Sequence, residues 1–235
     1  MKDMQPSPVI QVLSRNTQNF HPVVPFDPAV DRLHKMDFTS ANTTLTTAIT
    51  EDSQRFTDYI QKQLDDSGSR YGIGGYDEHR TIYAWSAHFD GAGEPRRLHL
   101  GTDIWGPVGT PVYAFMGGRV HSVAFNDAYG DYGATLVLVH QIDAVRFHTL
   151  YGHMSLRDIS PFSGGEYVIR GQEIAHFGPP EENGHWPPHL HFQVIIEMGV
   201  KEGDYPGVCA WSEREKYLAN CPDPDLILQL NRYLG

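Results

Sequence analysis

The chain has 235 residues, of which 40% are hydrophobic and 11% aromatic, a composition typical of a folded protein with a substantial core. Its formal net charge is −11, from 18 basic and 29 acidic side chains, which argues against nucleic-acid binding because phosphate contacts need a basic surface. No apolar run approaches the roughly 18 residues needed to cross a membrane, so membrane insertion is not predicted.

The first 78 residues predict an arm and one helix. The segment "PSPVIQVL" predicts a short strand or an extended arm. A helix is predicted further on, with Thr50 as its cap, because apolar residues recur there at helical spacing: Ile49, Phe56, Ile60 and Leu64. We expect this helix to pack on or near the core rather than lie across a groove as a regulatory arm. The glycine-rich stretch "SGSRYGIGGY" predicts a turn or linker.

From residue 79 onward, short apolar runs are bounded by Gly, Pro, Asn or Asp. The runs are "RTIYAWSAHF", "TPVYAFMGGRVHSVAF", "GATLVLVHQI", "AVRFHTLYGHM", "GEYVIRGQEIAHFG" and "HLHFQVIIEM". Such spacing is typical of a mainly β protein with an antiparallel sheet or sandwich core. The predicted division is an N-terminal arm and helix at 1–78, a β-domain at 79–200 and a helical C-terminal extension at 201–235.

Five side chains suited to metal binding or acid–base chemistry lie in three of these segments. His99 and Asp103 lie in "RLHLGTDIW", His153 in "LYGHMS", and His189 and His191 in "PPHLHFQVI". Residues two or four apart on a strand face the same side, so each pair is predicted to point from its own strand to one site. His153 would complete the set. Three donors for zinc, with two groups left for acid–base work, are typical of a metal hydrolase.

The remaining histidines and the two cysteines are not expected to bind a metal. Four further histidines are expected to pack, hydrogen-bond or face water, the last of them near the site: His140, His148, His176 and His185. Cys209 and Cys221 show no metal-site spacing and are interpreted as two ordinary thiols.

Across residues 97–194 the motifs resemble the lysostaphin-type zinc metallopeptidases, peptidoglycan endopeptidases with the duplicated hybrid motif fold. The similarity is carried by "HLGTDIWGPVGTPVYAFMGGRV", "LYGHMS", "VIRGQEIAHFG" and "PPHLHFQV". The resemblance implies that His99, Asp103 and His191 hold Zn²⁺, and that His153 and His189 assist water activation and stabilise the oxyanion. It implies hydrolysis of an amide bond, in a peptidoglycan cross-link or another small peptide, by attack of zinc-bound water. The helical "HExxH" motif is absent from the sequence.

Some features depart from the family pattern. Before the last motif the chain has "EENGHWPPHLHF", in which His185 and Trp186 are expected to reshape one wall of the groove. This motif, with the later "CPDP", resembles that of a subgroup found as a module beside kinase-like and aminotransferase-like domains, and this resemblance favours the alternative of a substrate other than peptidoglycan. The N-terminus has no apolar signal region and predicts a cytoplasmic location, although the family is mostly exported. The sequence carries no signal for an oligomeric state.

Two alternatives of other classes stay open. A non-haem iron oxygenase also uses two histidines and one carboxylate, but it typically places its first histidine and acid two residues apart and has no need for His153 and His189. A catalytically silent relative would act as a binding or activator module. Such proteins usually lose ligands, whereas all five positions are filled here, so the enzyme interpretation is favoured.

Overall fold

The computed structural model describes residues 6–85, 89 and 93–234, which form a mainly β structure, as predicted. The strands in these ranges are β1 (Leu33–Lys35), β2 (Tyr71–Gly74), β3 (Arg96–His99), β4 (Thr102–Trp105), β5 (Pro111–Tyr113), β6 (Gly118–Asn126), β7 (Gly133–Ile142), β8 (Val145–Met154), β9 (Tyr167–Val168), β10 (Glu173–His176), β11 (His189–Ile195) and β12 (Val208–Ala210). The α-helices are α1 (Pro8–Asn16), α2 (Thr47–Thr50), α3 (Ser53–Ser67), α4 (Leu156–Ile159), α5 (Arg214–Asn220) and α6 (Asp225–Leu228).

Eight of these strands form one sheet in the order β1-β2-β4-β11-β8-β7-β6-β9. Its pairings are antiparallel except for the parallel pair of β1 and β2. Two small antiparallel sheets pair β5 with β10 and β3 with β12. Strand β11 therefore lies inside the large sheet, with β4 on one side and β8 on the other.

The side chains of β11 alternate between two faces of the sheet. Leu190, Phe192 and Val194 join the main apolar core, together with residues of α1 and α6. His189 and His191 occupy the alternate positions, as expected from the two-residue period of a strand. The prediction that His189 and His191 point from one strand to the same side is confirmed.

The N-terminal segment folds differently from the prediction. Its first element is the helix α1, not a strand or an extended arm. The Ser7 side chain caps it by accepting a hydrogen bond from the backbone N–H of Ile10 at 3.3 Å, and Pro8 occupies the first turn, where a missing N–H costs nothing. Val9 and Leu13 then bury one face of the helix against the core.

Helix α3 carries the predicted apolar stripe, but its start was wrongly predicted. Thr50 ends the short α2, whereas Asp52 caps α3 by accepting hydrogen bonds from the backbone N–H groups of residues 54 and 55. A carboxylate suits this position because it satisfies free N–H groups and faces the positive end of the helix dipole. Phe56, Ile60 and Leu64 are buried in an aromatic cluster with Trp105 of β4.

The glycine-rich stretch contains the predicted turn at residues 68–70, but the prediction of a turn or linker was wrong for its middle part, which forms strand β2. It pairs with β1 and β4 and is buried throughout. A Cβ at Gly72 would lie 2.8 Å from Met36 Sδ, and a Cβ at Gly74 would lie 2.8 Å from Arg80 Nη2. The glycines therefore allow neighbouring side chains to approach the backbone of the strand. In the sequence, glycines with this role cannot be distinguished from the glycines of a turn.

The segment before β3 and the C-terminal part of the chain contain short helical elements. Within "RTIYAWSAHF", Ile82–Trp85 forms a 3₁₀ turn rather than a strand, and residues 86–88 of that run lie outside the described residues. The C-terminal part contains α5 and α6, separated by a segment with two prolines. Among the described residues, no helix has both the length and the apolar character required to span a membrane.

Candidate metal centre and its pocket

Asp103 and His191 are brought together by strand pairing. They are directly opposed residues of the antiparallel pair β4 and β11. Asp103 Oδ1 and His191 Nδ1 lie 3.0 Å apart, and both side chains are almost fully buried. The register of the central strands therefore fixes this part of the site.

His99 reaches the site from a different strand, so the prediction that one strand carries both His99 and Asp103 was wrong. His99 ends β3, which pairs with β12 in a small sheet, whereas Asp103 lies in β4 of the large sheet. The chain turns between them at Gly101, where a Cβ would lie 2.5 Å from His191 Cε1. Only a glycine leaves room for the His191 ring at this turn.

The donor atoms of these three residues converge. His99 Nε2 lies 3.0 Å from His191 Nδ1 and 3.3 Å from Asp103 Oδ1. Zinc about 2.0–2.1 Å from tetrahedral ligands needs donor atoms roughly 3.3 Å apart. Buried imidazole nitrogens and a carboxylate oxygen at these separations fit a zinc ion with an open fourth position, and His99, Asp103 and His191 form a group able to hold a metal.

Hydrogen bonds select the tautomer in which each histidine presents its donor nitrogen. His99 Nδ1–H donates to the Gly75 carbonyl at 2.9 Å, which leaves the Nε2 lone pair free. Gln193 uses its amide N–H to reach the Pro206 carbonyl, so its Oε1 accepts from His191 Nε2–H at 2.9 Å and leaves Nδ1 free. Such partners fix ring orientation in metal sites.

The protonation states of two of these residues match metal binding. Burial lowers the pKa of His99 to about 4, so the ring is neutral near pH 7. Burial alone would raise the pKa of Asp103, but the adjacent Arg80 guanidinium, which donates a hydrogen bond to its carboxylate, holds it well below its usual range. A neutral imidazole and an ionised carboxylate are the forms that bind metal ions.

His153 and His189 lie beside this group and line the same pocket. Their ring centroids are 4.1 Å apart, and the His189 ring stacks on Trp105 at 3.9 Å. His153 Nδ1–H donates to the Asn183 carbonyl and His189 Nδ1–H to the Pro187 carbonyl, both at 2.7 Å. Burial lowers the pKa of both rings, that of His189 to about 4. Each ring is therefore neutral near pH 7 and keeps an unprotonated Nε2 atom.

His153 faces the pocket because its backbone departs from strand geometry. Alternation along β8 would place it with Phe147 and Tyr151, whose side chains lie in the main core. Its φ of +63° reverses the alternation, and Met154 takes the core position instead. A non-glycine residue held in this region costs roughly 1–3 kcal/mol, a strain that is common at functional sites.

The sequence interpretation missed two buried contacts of the ligands. Arg80 donates to Asp103 Oδ2 at 2.5 Å, from a segment 19 residues before His99 in which no motif marks it. Gln193 orients His191, and its signal was present, because a residue two positions after His191 on one strand faces the same side.

The pocket has a volume of about 210 Å³ and walls of different character. Among the described residues that line it, one group is apolar and aromatic: Ile82, Tyr83, Phe89, Trp105, Trp186 and Val208. A second group is polar or charged and includes Asp131, Lys201, Asp204 and Tyr205. Trp186 is buried in the aromatic cluster, whereas His185 is exposed and packs against Tyr129 outside this lining.

The candidate histidines His140, His148 and His176 and both cysteines are not part of the donor group. His140 is buried between the Gly117 carbonyl and the Thr149 hydroxyl, and His176 pairs with Asp158. His148 packs edge-on against His121. Cys209 and Cys221 are free and buried, as ordinary thiols would be.

The sequence around the donor group is similar to that of known proteins. The model of peptidase family M23 matches residues 97–202. The peptidoglycan DD-endopeptidase ShyB of Vibrio cholerae is 33% identical over 140 residues, which cover 57% of this chain and 30% of that protein. An L-Ala--D-Glu endopeptidase of Bacillus subtilis is 30% identical over 130 residues, which cover 52% of this chain and 37% of that protein. The match thus spans about a third of each relative.

Solved structures show similar partial matches. A zinc-containing peptidase from Vibrio cholerae has 36% identity and a TM-score of 0.35, and the match covers 43% of this chain and 28% of that one. Lysostaphin from Staphylococcus simulans has 26% identity and a TM-score of 0.38, over 57% and 44% of the two chains. The family match at 97–202 includes all three candidate metal ligands, together with His153 and His189. Residues 97–202 of the chain therefore form a segment of the peptidase M23 type.

Proposed function

We propose that the protein is a zinc-dependent metalloendopeptidase that hydrolyses an amide bond in a peptidoglycan cross-link or another small peptide. The observation that carries the proposal is the convergence of His99 Nε2, Asp103 Oδ1 and His191 Nδ1 within 3.3 Å of one another, beside two further buried histidines. Zinc held by these donors would supply a Lewis acid for water activation and for polarisation of the scissile carbonyl.

His153 and His189 are proposed as the proton-transfer groups. Each has its Nδ1–H committed to a backbone carbonyl, so each Nε2 is an acceptor held in a fixed direction. One ring takes a proton from the attacking water. The Nε2–H of that ring then donates a hydrogen bond to the oxyanion and passes the same proton to the departing amine, which completes hydrolysis of the amide. Stacking on Trp105 limits rotation of the His189 ring during these transfers.

The names of the relatives and the lining of the pocket both support a peptide substrate. Both curated relatives described above are named as endopeptidases, and one of them as a peptidoglycan DD-endopeptidase. The pocket offers an aromatic wall at Trp186 and Tyr83, and charged side chains at Asp131 and Lys201. A short peptide that presents an apolar group to the first wall and charged groups to the second would fit both surfaces.

The test compares metal-free protein, zinc-reconstituted protein and a reconstituted His189→Ala variant on purified cross-linked muropeptides and on a library of unrelated short peptides. Products are identified by mass spectrometry. The proposal expects new peptide termini only with zinc-loaded wild type. Equal cleavage by metal-free protein would exclude the zinc-dependent reaction.

Comparison of muropeptides with the peptide library shows which class of substrate the protein cleaves. Cleavage of muropeptides identifies peptidoglycan as the substrate class, whereas cleavage of library peptides alone places the activity on other peptides. Binding of muropeptides without any cleavage would support the catalytically silent module and contradict the enzyme proposal.

A further inference from the structure

We propose that Arg80 is a positioning residue of the metal centre, which holds Asp103 as a single-oxygen ligand and supports His99 through the Gly75 carbonyl. The inference rests on the proposed function, because its ligands are those proposed above. Arg80 lies outside the segment that matches the family, so the proposed centre draws on the chain before residue 97.

The first contact is with the carboxylate itself. Arg80 Nη1 donates to Asp103 Oδ2 at 2.5 Å, while Oδ1 faces His99 and His191. The exposed fractions of the Arg80 and Asp103 side chains are 1% and 3%. Because the guanidinium occupies one oxygen, the carboxylate presents only the other to a metal, and rotation of Asp103 would break a buried charge-assisted hydrogen bond.

The second contact reaches His99. The Gly75 carbonyl accepts a hydrogen bond from His99 Nδ1–H at 2.9 Å and one from Arg80 Nη2 at 3.4 Å. The backbone oxygen that selects the His99 tautomer is therefore also in contact with Arg80. One guanidinium thus supports two of the three proposed ligands.

Arg80 is itself firmly held. Its Nε donates to Glu78 Oε2 at 2.8 Å, its Nη1 also donates to Tyr83 Oη at 3.0 Å, and its guanidinium lies 5.1 Å from the Phe38 ring centroid. Its backbone N–H donates to the Arg97 carbonyl at 2.9 Å, which ties residue 80 to the strand that carries His99. A side chain fixed at this many points can fix the orientation of its partner.

Charge agrees with this role. Burial alone would lower the pKa of Arg80, but the facing Tyr83, Asp103 and Glu78 raise it above its ordinary value, so the guanidinium stays protonated.

The experiment measures zinc dissociation constants of the full chain by chelator competition, for wild type, Arg80→Gln and Arg80→Lys. The matched control is Arg214→Gln, because Arg214 also pairs with an aspartate, Asp77, but contacts no proposed ligand. Near-ultraviolet circular dichroism of metal-free protein reports folding. Absorption of the Co²⁺-loaded proteins reports the coordination number of the metal.

We expect Arg80→Gln to weaken zinc binding by roughly 10–100-fold, the usual effect of losing a hydrogen-bond partner of a ligand. Its Co²⁺ bands should lose intensity, because a freed Asp103 can bind through both oxygens. Arg80→Lys keeps the charge but not the geometry, so it should fall between wild type and Arg80→Gln. If Arg80→Gln does not fold, the affinity and spectrum of Arg80→Lys decide the question.

Two results overturn the inference alone: zinc affinity equal to or tighter than wild type in a folded variant, or weaker affinity with an unchanged Co²⁺ spectrum. A loss of affinity as large in Arg214→Gln would also overturn it, because the effect would then not be specific to Arg80. Failure of wild type to bind zinc is a different outcome, which overturns the proposed metal centre and this inference with it.

Discussion

Asp103 and His191 stand directly opposite each other on adjacent antiparallel strands, with their facing donor atoms 3.0 Å apart. A one-residue slip of this register would send either side chain to the opposite face of the sheet. The proposed metal centre therefore depends on the pairing of β4 with β11, and on everything that packs against those strands.

The first prediction separates catalysis from metal binding. His189→Ala removes a basic nitrogen beside the donor group but none of the three proposed ligands. We expect zinc content equal to wild type and peptide hydrolysis slower by about 10²–10⁴-fold, the usual contribution of a positioned acid or base. His185→Gln is the control, because His185 is exposed and does not line the pocket. Loss of zinc in His189→Ala would contradict its assigned role.

The second prediction concerns Gln193, whose Oε1 accepts the hydrogen bond from His191 Nε2–H. Gln193→Ala leaves this ring without its partner, and we expect zinc affinity to fall by roughly 10–100-fold, measured by chelator competition. Gln193→Glu retains an acceptor oxygen, so it should retain more affinity than the alanine variant. Identical affinities in all three proteins would show that the hydrogen bond does not matter for metal binding.

A two-residue period explains what the sequence could predict of this site. It placed His189 and His191 on one face of a strand and Leu190 on the other, and β11 has that arrangement. Strand periodicity failed for His99 and Asp103, because the turn at Gly101 separates them into two sheets. Periodicity describes residues within one strand and carries no information about where a strand ends.

His153 and Arg80 show a second reason why the site could not be fully predicted from the sequence. His153 faces the pocket only because its φ is +63°, a backbone state that no sequence pattern of strands predicts. Arg80 meets Asp103 through tertiary packing of a segment with no periodic signal. The mainly β fold was predictable from many short apolar runs, whereas these two contacts depend on long-range placement.

The third prediction links α3 to the site. Phe56 is 1% exposed and packs within 6.0 Å of the ring centroid of Trp105, which in turn stacks on His189. Phe56→Ala is expected to lower the free energy of unfolding by about 3–5 kcal/mol, measured by urea denaturation, because it opens a cavity in the core. Lys62→Ala on the exposed face of the same helix should change it by less than about 0.5 kcal/mol.

If α3 only covers the protein and has no packing role, Phe56→Ala would change the free energy of unfolding as little as Lys62→Ala.

The aromatic contacts also predict an effect on the rate of peptide hydrolysis. Folded Phe56→Ala protein is expected to hydrolyse peptide more slowly than wild type at equal zinc content, since Trp105 loses a neighbour that supports the His189 ring.

The fourth prediction concerns pH and uses His140, which lies outside the donor group. Burial lowers its pKa from 6.5 to about 4, and its Nε2 accepts a hydrogen bond from the Thr149 hydroxyl only when neutral. Because the folded pKa is the lower one, its stabilisation is complete above pH 6.5 and is lost as pH falls to 4. The shift corresponds to about 3 kcal/mol.

Urea denaturation of metal-free protein from pH 7 to pH 4 measures this effect. Wild type is expected to lose stability across that range, and His140→Gln, which cannot titrate there, to lose less. His185→Gln alters an exposed ring and should follow wild type. A slope unchanged by His140→Gln would contradict the buried neutral state of His140.

The most direct test of the account is the metal content of purified wild type and His191→Ala, measured side by side by elemental analysis. We predict about one zinc per chain in wild type and its loss in the variant, since three protein ligands and an open position are typical of catalytic zinc. Iron in wild type would favour an oxygenase. No metal in either protein, or equal zinc in both, would contradict a metal centre at His99, Asp103 and His191.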